Sequence, residues 1–193
     1  MTIVPDTKDW TWVLRRSCPE CGFDTQSFPR DQIPSQLLAN AEEWRGVLAA
    51  SREVARRPRP EVWSPLEYAC HVRDVFRLYH ERLALMLAQD HPTFPDWDQD
   101  ATAVEERYGE QDPQVVSAEL LEAARRLAGG FAALREDDWR RTGSRSDGAD
   151  FTVESFGRYF IHDPVHHLYD VTGHRAVVGS TAMRQQLHPG GCS

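Results

Sequence analysis

Trp63-Ser64-Pro65-Leu66-Glu67-Tyr68-Ala69-Cys70-His71-Val72-Arg73-Asp74 reads as the opening of an amphipathic helix. Ser64 is the expected N-cap, Pro65 suits the first turn, and Glu67 stands where a capping box needs a carboxylate. Beyond it, the apolar stripe Val72, Phe76, Tyr79, Leu83 and Met86 carries the helix to about residue 89. At about 100° per residue, Arg73, Asp74, Arg77, His80 and Glu81 make the polar arc, which places His80 in solvent. His71 falls inside the apolar arc, between Val75 and Leu78. A buried imidazole needs a partner for each ring nitrogen, either a carbonyl or tyrosine of the core, or a metal ion.

Three further segments repeat the helical period. Over 34–55, Leu37, Ala41, Trp44 and Leu48 step by one turn, with Asp31 or Ser35 as cap and Pro58 and Pro60 as terminators. Over 113–135 the stripe is Val116, Leu120, Ala124, Leu127, Phe131 and Leu134 behind the N-cap Asp112, weakened by about 1 kcal/mol for each of Gly129 and Gly130. The last segment, 153–171, ends before Gly173 and is apolar around much of its circumference, as a buried helix is. A long connection, 91–112, carries Pro92, Pro95 and Gly109 and has room for a short helix at 101–107. The segment 138–151 is polar and turn-rich. With no clear strand pattern, the expectation is an all-α protein: a four-helix bundle over 34–173 with a long crossover connection, an irregular N-terminal arm over 1–33, and a tail over 174–193.

The bulk properties narrow the function. A net charge of -8 on 193 residues argues against nucleic-acid binding. No apolar run approaches the roughly 20 residues that span a bilayer, and the first ten residues lack the features of a signal peptide, so a cytoplasmic protein without a membrane partner is expected. Lys8 is the one lysine, so arginine supplies the remaining basic residues, the bias of a GC-rich genome. Cys18, Cys21, Cys70 and Cys192 do not form a disulfide framework.

Chemistry concentrates in His162-Asp163-Pro164-Val165-His166-His167. His162 and His166 are one turn apart and about 40° apart on the wheel, while His167 points about 100° away. Together with His71 they make three candidate metal ligands from two helices, a set that leaves a coordination position open. Pro164 either kinks the helix or starts a new one, and the continuous helix is the preferred reading. Cys18-Pro19-Glu20-Cys21-Gly22 looks like half of a zinc knuckle, with His188 and Cys192 as conceivable partners.

The segment from Trp63 to Asp74 resembles the Trp-Ser-x-x-Glu-x-x-x-His start of the second helix in DinB-like proteins, and residues 162–167 resemble their second motif, two histidines one turn apart. The resemblance covers about residues 34–173. It implies a four-helix bundle of atypical helix order and a divalent metal, often zinc or nickel, on three histidines, here His71, His162 and His166. Characterised relatives include thiol S-transferases that use bacillithiol or mycothiol. The arginine bias points toward an actinobacterial source and so toward mycothiol as co-substrate. Pro164 departs from the commoner form of the motif.

A cation lowers the pKa of a bound thiol or water, so thiol transfer to a small electrophilic substrate is the leading expectation and metal-dependent hydrolysis the alternative. Two further readings are a non-catalytic metal- or ligand-binding stress protein and a dimeric module that uses faces around Trp44 or Phe76. A homodimer is compatible with all of them. Asp74 and Asp170, one turn from His71 and His166, are candidate orienting carboxylates, and Tyr68, Tyr79 and Tyr169 are expected in the core.

Overall fold

The computed structural model describes residues 9–176. Among the described residues there are five α-helices: α1 (Ile33–Ala50), α2 (Pro65–Ala88), α3 (Gln99–Glu105), α4 (Pro113–Ala132) and α5 (Val153–Thr172). The four long ones form the bundle. α4 packs against both α1 and α2, and α5 packs against the same two helices. Of the successive long helices only α2 and α4 pack closely; α1 packs mainly on α4 and α5 rather than on α2, so the connections supply crossovers.

Local chemistry sets the helix ends. Ser64 Oγ accepts from the Glu67 amide at 3.2 Å while Glu67 Oε2 accepts from the Ser64 amide at 2.8 Å, the expected reciprocal box. Asp112 caps α4, Thr152 and Ser155 form a second capping box at the start of α5, and Gly173 closes α5 at φ 70°. α5 runs unbroken through Pro164, whose carbonyl accepts from Asn40 Nδ2 at 2.9 Å.

The all-α expectation needs correction, because a three-stranded sheet sits beside the bundle. β2 (Thr142–Arg145) and β3 (Asp150–Thr152) form an antiparallel hairpin, and β1 (Thr93–Phe94) pairs in parallel with β2. These strands are too short to show a period-2 pattern, and β1 reaches β2 across some fifty residues of chain, so local sequence carries little trace of them.

Trp44, Phe76, Phe131, Phe156 and Phe160 fill the core. Trp44 and Phe76 are fully buried and so are not interface faces. Arg73, expected on the polar arc, is also buried: its guanidinium bonds Asp74, Gln111 and Glu119. Asp74 in turn accepts from Tyr108 Oη at 2.6 Å, so this carboxylate serves an ionic network.

Two glycines predict opposite responses. A Cβ on Gly157 in α5 would lie 2.8 Å from Ile33 Cδ1 and 3.0 Å from Phe131 Cε1. Gly157→Ala is expected to destabilise by roughly 1 kcal/mol, the overpacking penalty exceeding the gain in helix propensity. Gly129 in α4 meets nothing within 4 Å, so Gly129→Ala is expected to stabilise by about 1 kcal/mol. Urea midpoints moving in opposite directions would bear this out, and a shared direction would contradict it.

Candidate functional site

α5 projects two rows of donors, and the two rows face different neighbours. His162 and His166 face the N-terminal arm, where their ligand atoms gather with those of Cys18 and Cys21 within 4.8 Å. Asp163 and His167, one residue further on and so about 100° round the helix, face α2, where they gather with His71 within the same distance. The three imidazoles expected to share one ion are thus distributed over two clusters: His162 and His166 are brought together, and His71 meets Asp163 and His167 instead. The helical phase explains the division. Turning α5 by one residue's angle would bring His162 and His166 round to α2 in place of Asp163 and His167, and that angle is set by packing on α1 and α2.

The second cluster is built from α2 outward. His71 lies two turns into α2, behind the Ser64 box, with no exposed surface. Trp97, from the connection after α2, stacks on it at 5.4 Å with the planes 14° apart, and Trp63 lies 5.3 Å away. The His167 ring meets His71 edge-on at 4.8 Å. Asp163 sits between them: Oδ1 is 3.6 Å from His71 Nε2 and Oδ2 is 3.7 Å from His167 Nε2. These are ionic approaches, too long for hydrogen bonds. Both His71 ring nitrogens and Asp163 Oδ1 are buried with no hydrogen-bond partner among the described residues. Asp163 exposes 36% of its side chain at its edge, but Oδ1 itself is buried. His167 Nδ1 pairs with Asp170 Oδ2 at 3.0 Å, which fixes the ring with Nε2 toward Asp163.

Electrostatics set the charge states. Burial holds His71 below its ordinary imidazole value, and burial with the adjacent His166 brings His162 down to about 4. Burial would raise Asp163, but the His167 and His71 imidazoles outweigh it and hold the carboxyl at about 2. Neutral imidazoles beside an ionised carboxylate are the protonation states that ligate divalent ions.

In the first cluster all four donors are buried. Cys18 Sγ lies 3.6 Å from His166 Nδ1, and Trp10 covers His166 and His162 at 5.1 and 5.4 Å. Burial pushes the Cys21 thiol up to about 12. Four donors of these clusters, Asp163, His167, Cys18 and Cys21, lie outside the expected ligand set. His167 was set aside by its wheel angle, although that angle is the one that matches Asp163. The two-cysteine motif was paired with His188 and Cys192, both of which lie outside the described residues. The available signal was that a Cys-x-x-Cys pair is half of a four-donor zinc set and that His162 and His166, one helical turn apart, are two imidazoles on one face.

A cavity of about 350 Å³ adjoins the His71 cluster, with Val47, Val54, Trp63, Tyr68, Asp170 and Val171 in its wall. Tyr68 packs 5.1 Å from His167, so it lines the site, whereas Tyr79 stacks on Phe156 in the core. A second cavity, of about 470 Å³, is bordered by Thr25, Thr152, Glu154 and Arg158; neither lining includes a cluster donor, and the first is linked to the His71 cluster through Trp63, Tyr68 and Asp170, which contact His71 or His167.

A family model described as the DinB superfamily matches residues 35–171. Among solved structures, the chain is similar to YfiT from Bacillus subtilis, described as a probable metal-dependent hydrolase with an unusual four-helix bundle topology. The two are 19% identical with a TM-score of 0.64, and the match covers 89% of this chain and 91% of that one. No curated protein sequence matches the chain significantly.

Proposed function

The chain belongs to the DinB superfamily, and from that premise we propose that it is a divalent-metal-dependent enzyme acting on a small molecule, with His71, Asp163 and His167 holding the reactive ion. The observation that carries this is the set of orphaned donors. Two ring nitrogens of His71 and one oxygen of Asp163 are buried without hydrogen-bond partners among the described residues, beside a His167 that Asp170 has already oriented. Buried polar groups without partners are costly, and a shared cation would satisfy them together. Three protein ligands leave a position for substrate, as catalytic sites do, whereas a four-donor cluster is closed.

Imidazole and carboxylate donors suit zinc or nickel, and such an ion supplies Lewis acidity and a lowered pKa to a thiol or water bound at the open position. The residues of the chain do the rest. Asp170 holds the tautomer and angle of His167. Trp63 and Trp97 exclude water from His71, and Trp63, Tyr68 and the valines offer an apolar wall to an organic substrate. Transfer of a small thiol of the mycothiol kind to an electrophilic carbon is the reading we favour for this site. Hydrolysis is the second reading, supported by the description of the structurally similar YfiT.

The test is turnover of an electrophile by protein stripped with chelator and then reloaded with zinc or nickel, with and without thiol. Activity is expected to vanish on stripping and to return with the ion. Dependence on thiol would favour transfer, and ester or amide cleavage without thiol would favour hydrolysis. Undiminished turnover in verified metal-free protein would sink both.

A further inference from the structure

We propose that Cys18, Cys21, His162 and His166 form a second, closed zinc site that staples the N-terminal arm to α5. The donor set is the first argument. Two sulfurs and two imidazoles, exposed by 1%, 0%, 4% and 7%, bring their ligand atoms within 4.8 Å of one another. Four donors with two thiolates are the composition of structural zinc sites.

The spacing is the second argument. With zinc bonds of about 2.3 Å to sulfur and about 2.0 Å to nitrogen, a tetrahedral angle separates the two ligand atoms by about 3.5 Å. Cys18 Sγ and His166 Nδ1 stand 3.6 Å apart. His162 Nε2 is a buried nitrogen with no hydrogen-bond partner among the described residues, and a cation shared with the sulfurs would satisfy it.

The surroundings are the third. The Gly22 amide donates to the Cys18 carbonyl and the Cys18 amide to the Phe23 carbonyl, both at 2.9 Å, so the chain doubles back around the two sulfurs. Gly22 sits at φ 79°, a left-handed conformation that suits glycine at such a turn. Glu20, between the two cysteines, places Oε2 3.3 Å from His166 Nε2, leaving Nδ1 to face the sulfur. Trp10 lies over both rings. The cysteines are free thiols, so no disulfide competes for the sulfurs.

In this arrangement α5 carries two metal sites back to back. Adjacent residues, 162 with 163 and 166 with 167, serve different ions. The closed site orders the arm and holds the helical phase on which the open site depends.

The experiment is cobalt substitution of the full chain, because of the two donor clusters among the described residues this one alone carries sulfur. Stripped protein reloaded with cobalt is expected to show a thiolate-to-cobalt charge-transfer band with tetrahedral visible bands. The sulfur band should persist in His71→Ala and weaken markedly in Cys21→Ser, which leaves Cys18 as the remaining sulfur of the site. Elemental analysis should find two divalent ions per native chain and one in His71→Ala. Absence of a sulfur band in the native chain would overturn the proposal. So would its loss in His71→Ala, which would mean a single shared centre. The native chain and His71→Ala decide the matter even if Cys21→Ser fails to fold, and the sulfur band stands or falls independently of any activity at the His71 cluster.

Discussion

In the His71→Ala protein, metal affinity at the open cluster is expected to fall by roughly 100-fold, and metal-dependent turnover with it. A four-ligand structural zinc site is worth about 10–16 kcal/mol, so one imidazole is worth about 3 kcal/mol, or roughly 100-fold in binding. The stability of the metal-free protein should change much less, by about 1 kcal/mol. The ring makes no hydrogen bond whose loss would strand a partner, so its removal relieves two unsatisfied nitrogens while opening a cavity, and these effects oppose each other. A core histidine with a structural role would show the reverse pattern, with a large loss of stability and unchanged metal binding. Isothermal titration with zinc, alongside urea unfolding of the chelated protein, separates the two cases.

Arg57→Met is expected to cost about 3 kcal/mol at neutral pH, the lower end of what stranding a buried charge costs, because Arg57 itself is one-third exposed. Arg57 clasps Glu67 through Nε and Nη2, with Nε 2.8 Å from Oε2, and Glu67 is only 5% exposed. Without Arg57, the Ser64 amide and hydroxyl are left to compensate the carboxylate. Burial raises the Glu67 carboxyl, and the Arg57 and Ser64 contacts more than reverse this, leaving it below its ordinary 4.5. A depressed folded value contributes stability that is fully present above the unfolded value and is lost as pH falls through the folded one. The penalty of Arg57→Met should therefore be largest near neutrality and shrink as both proteins protonate Glu67 in acid. Adding Glu67→Gln to Arg57→Met should recover much of the loss, since an amide needs no counter-charge. A penalty independent of pH between neutrality and acid would show that the guanidinium acts through packing alone.

The Glu67 pair bears on how the second helix was read. Its Trp-Ser-x-x-Glu start marks a capping box anchored by an arginine ten residues upstream, and the whole of that box was visible locally. The same holds for Asp112, for the stop at Gly173, and for the stripes that placed the long helices within a few residues of their observed ends. Such features involve neighbours within one or two turns, so they depend on little beyond adjacent residues.

The clusters were legible only in part. The concentration of imidazoles at 162–167 and the isolation of His71 were evident, and Cys18 and Cys21 stood out as half of a zinc-knuckle pattern. Which donors share an ion was not. Three of the four donor positions on α5 are histidines, and a rotation of 100° separates one pairing from the other. Nothing within α5 sets that rotation. It follows from how Phe156, Phe160 and Ile161 pack into the core among α1, α2 and α4. β1 and β2 were hidden for a related reason, since their pairing joins residues about fifty apart. Sequence alone determined that this chain makes four long amphipathic helices and carries metal-binding side chains, because periodicity and side-chain chemistry are local properties. Only the tertiary structure decided that Cys18 and Cys21 gather with His162 and His166 while Asp163 and His167 gather with His71, because the angular phase of a buried helix is a property of everything packed around it.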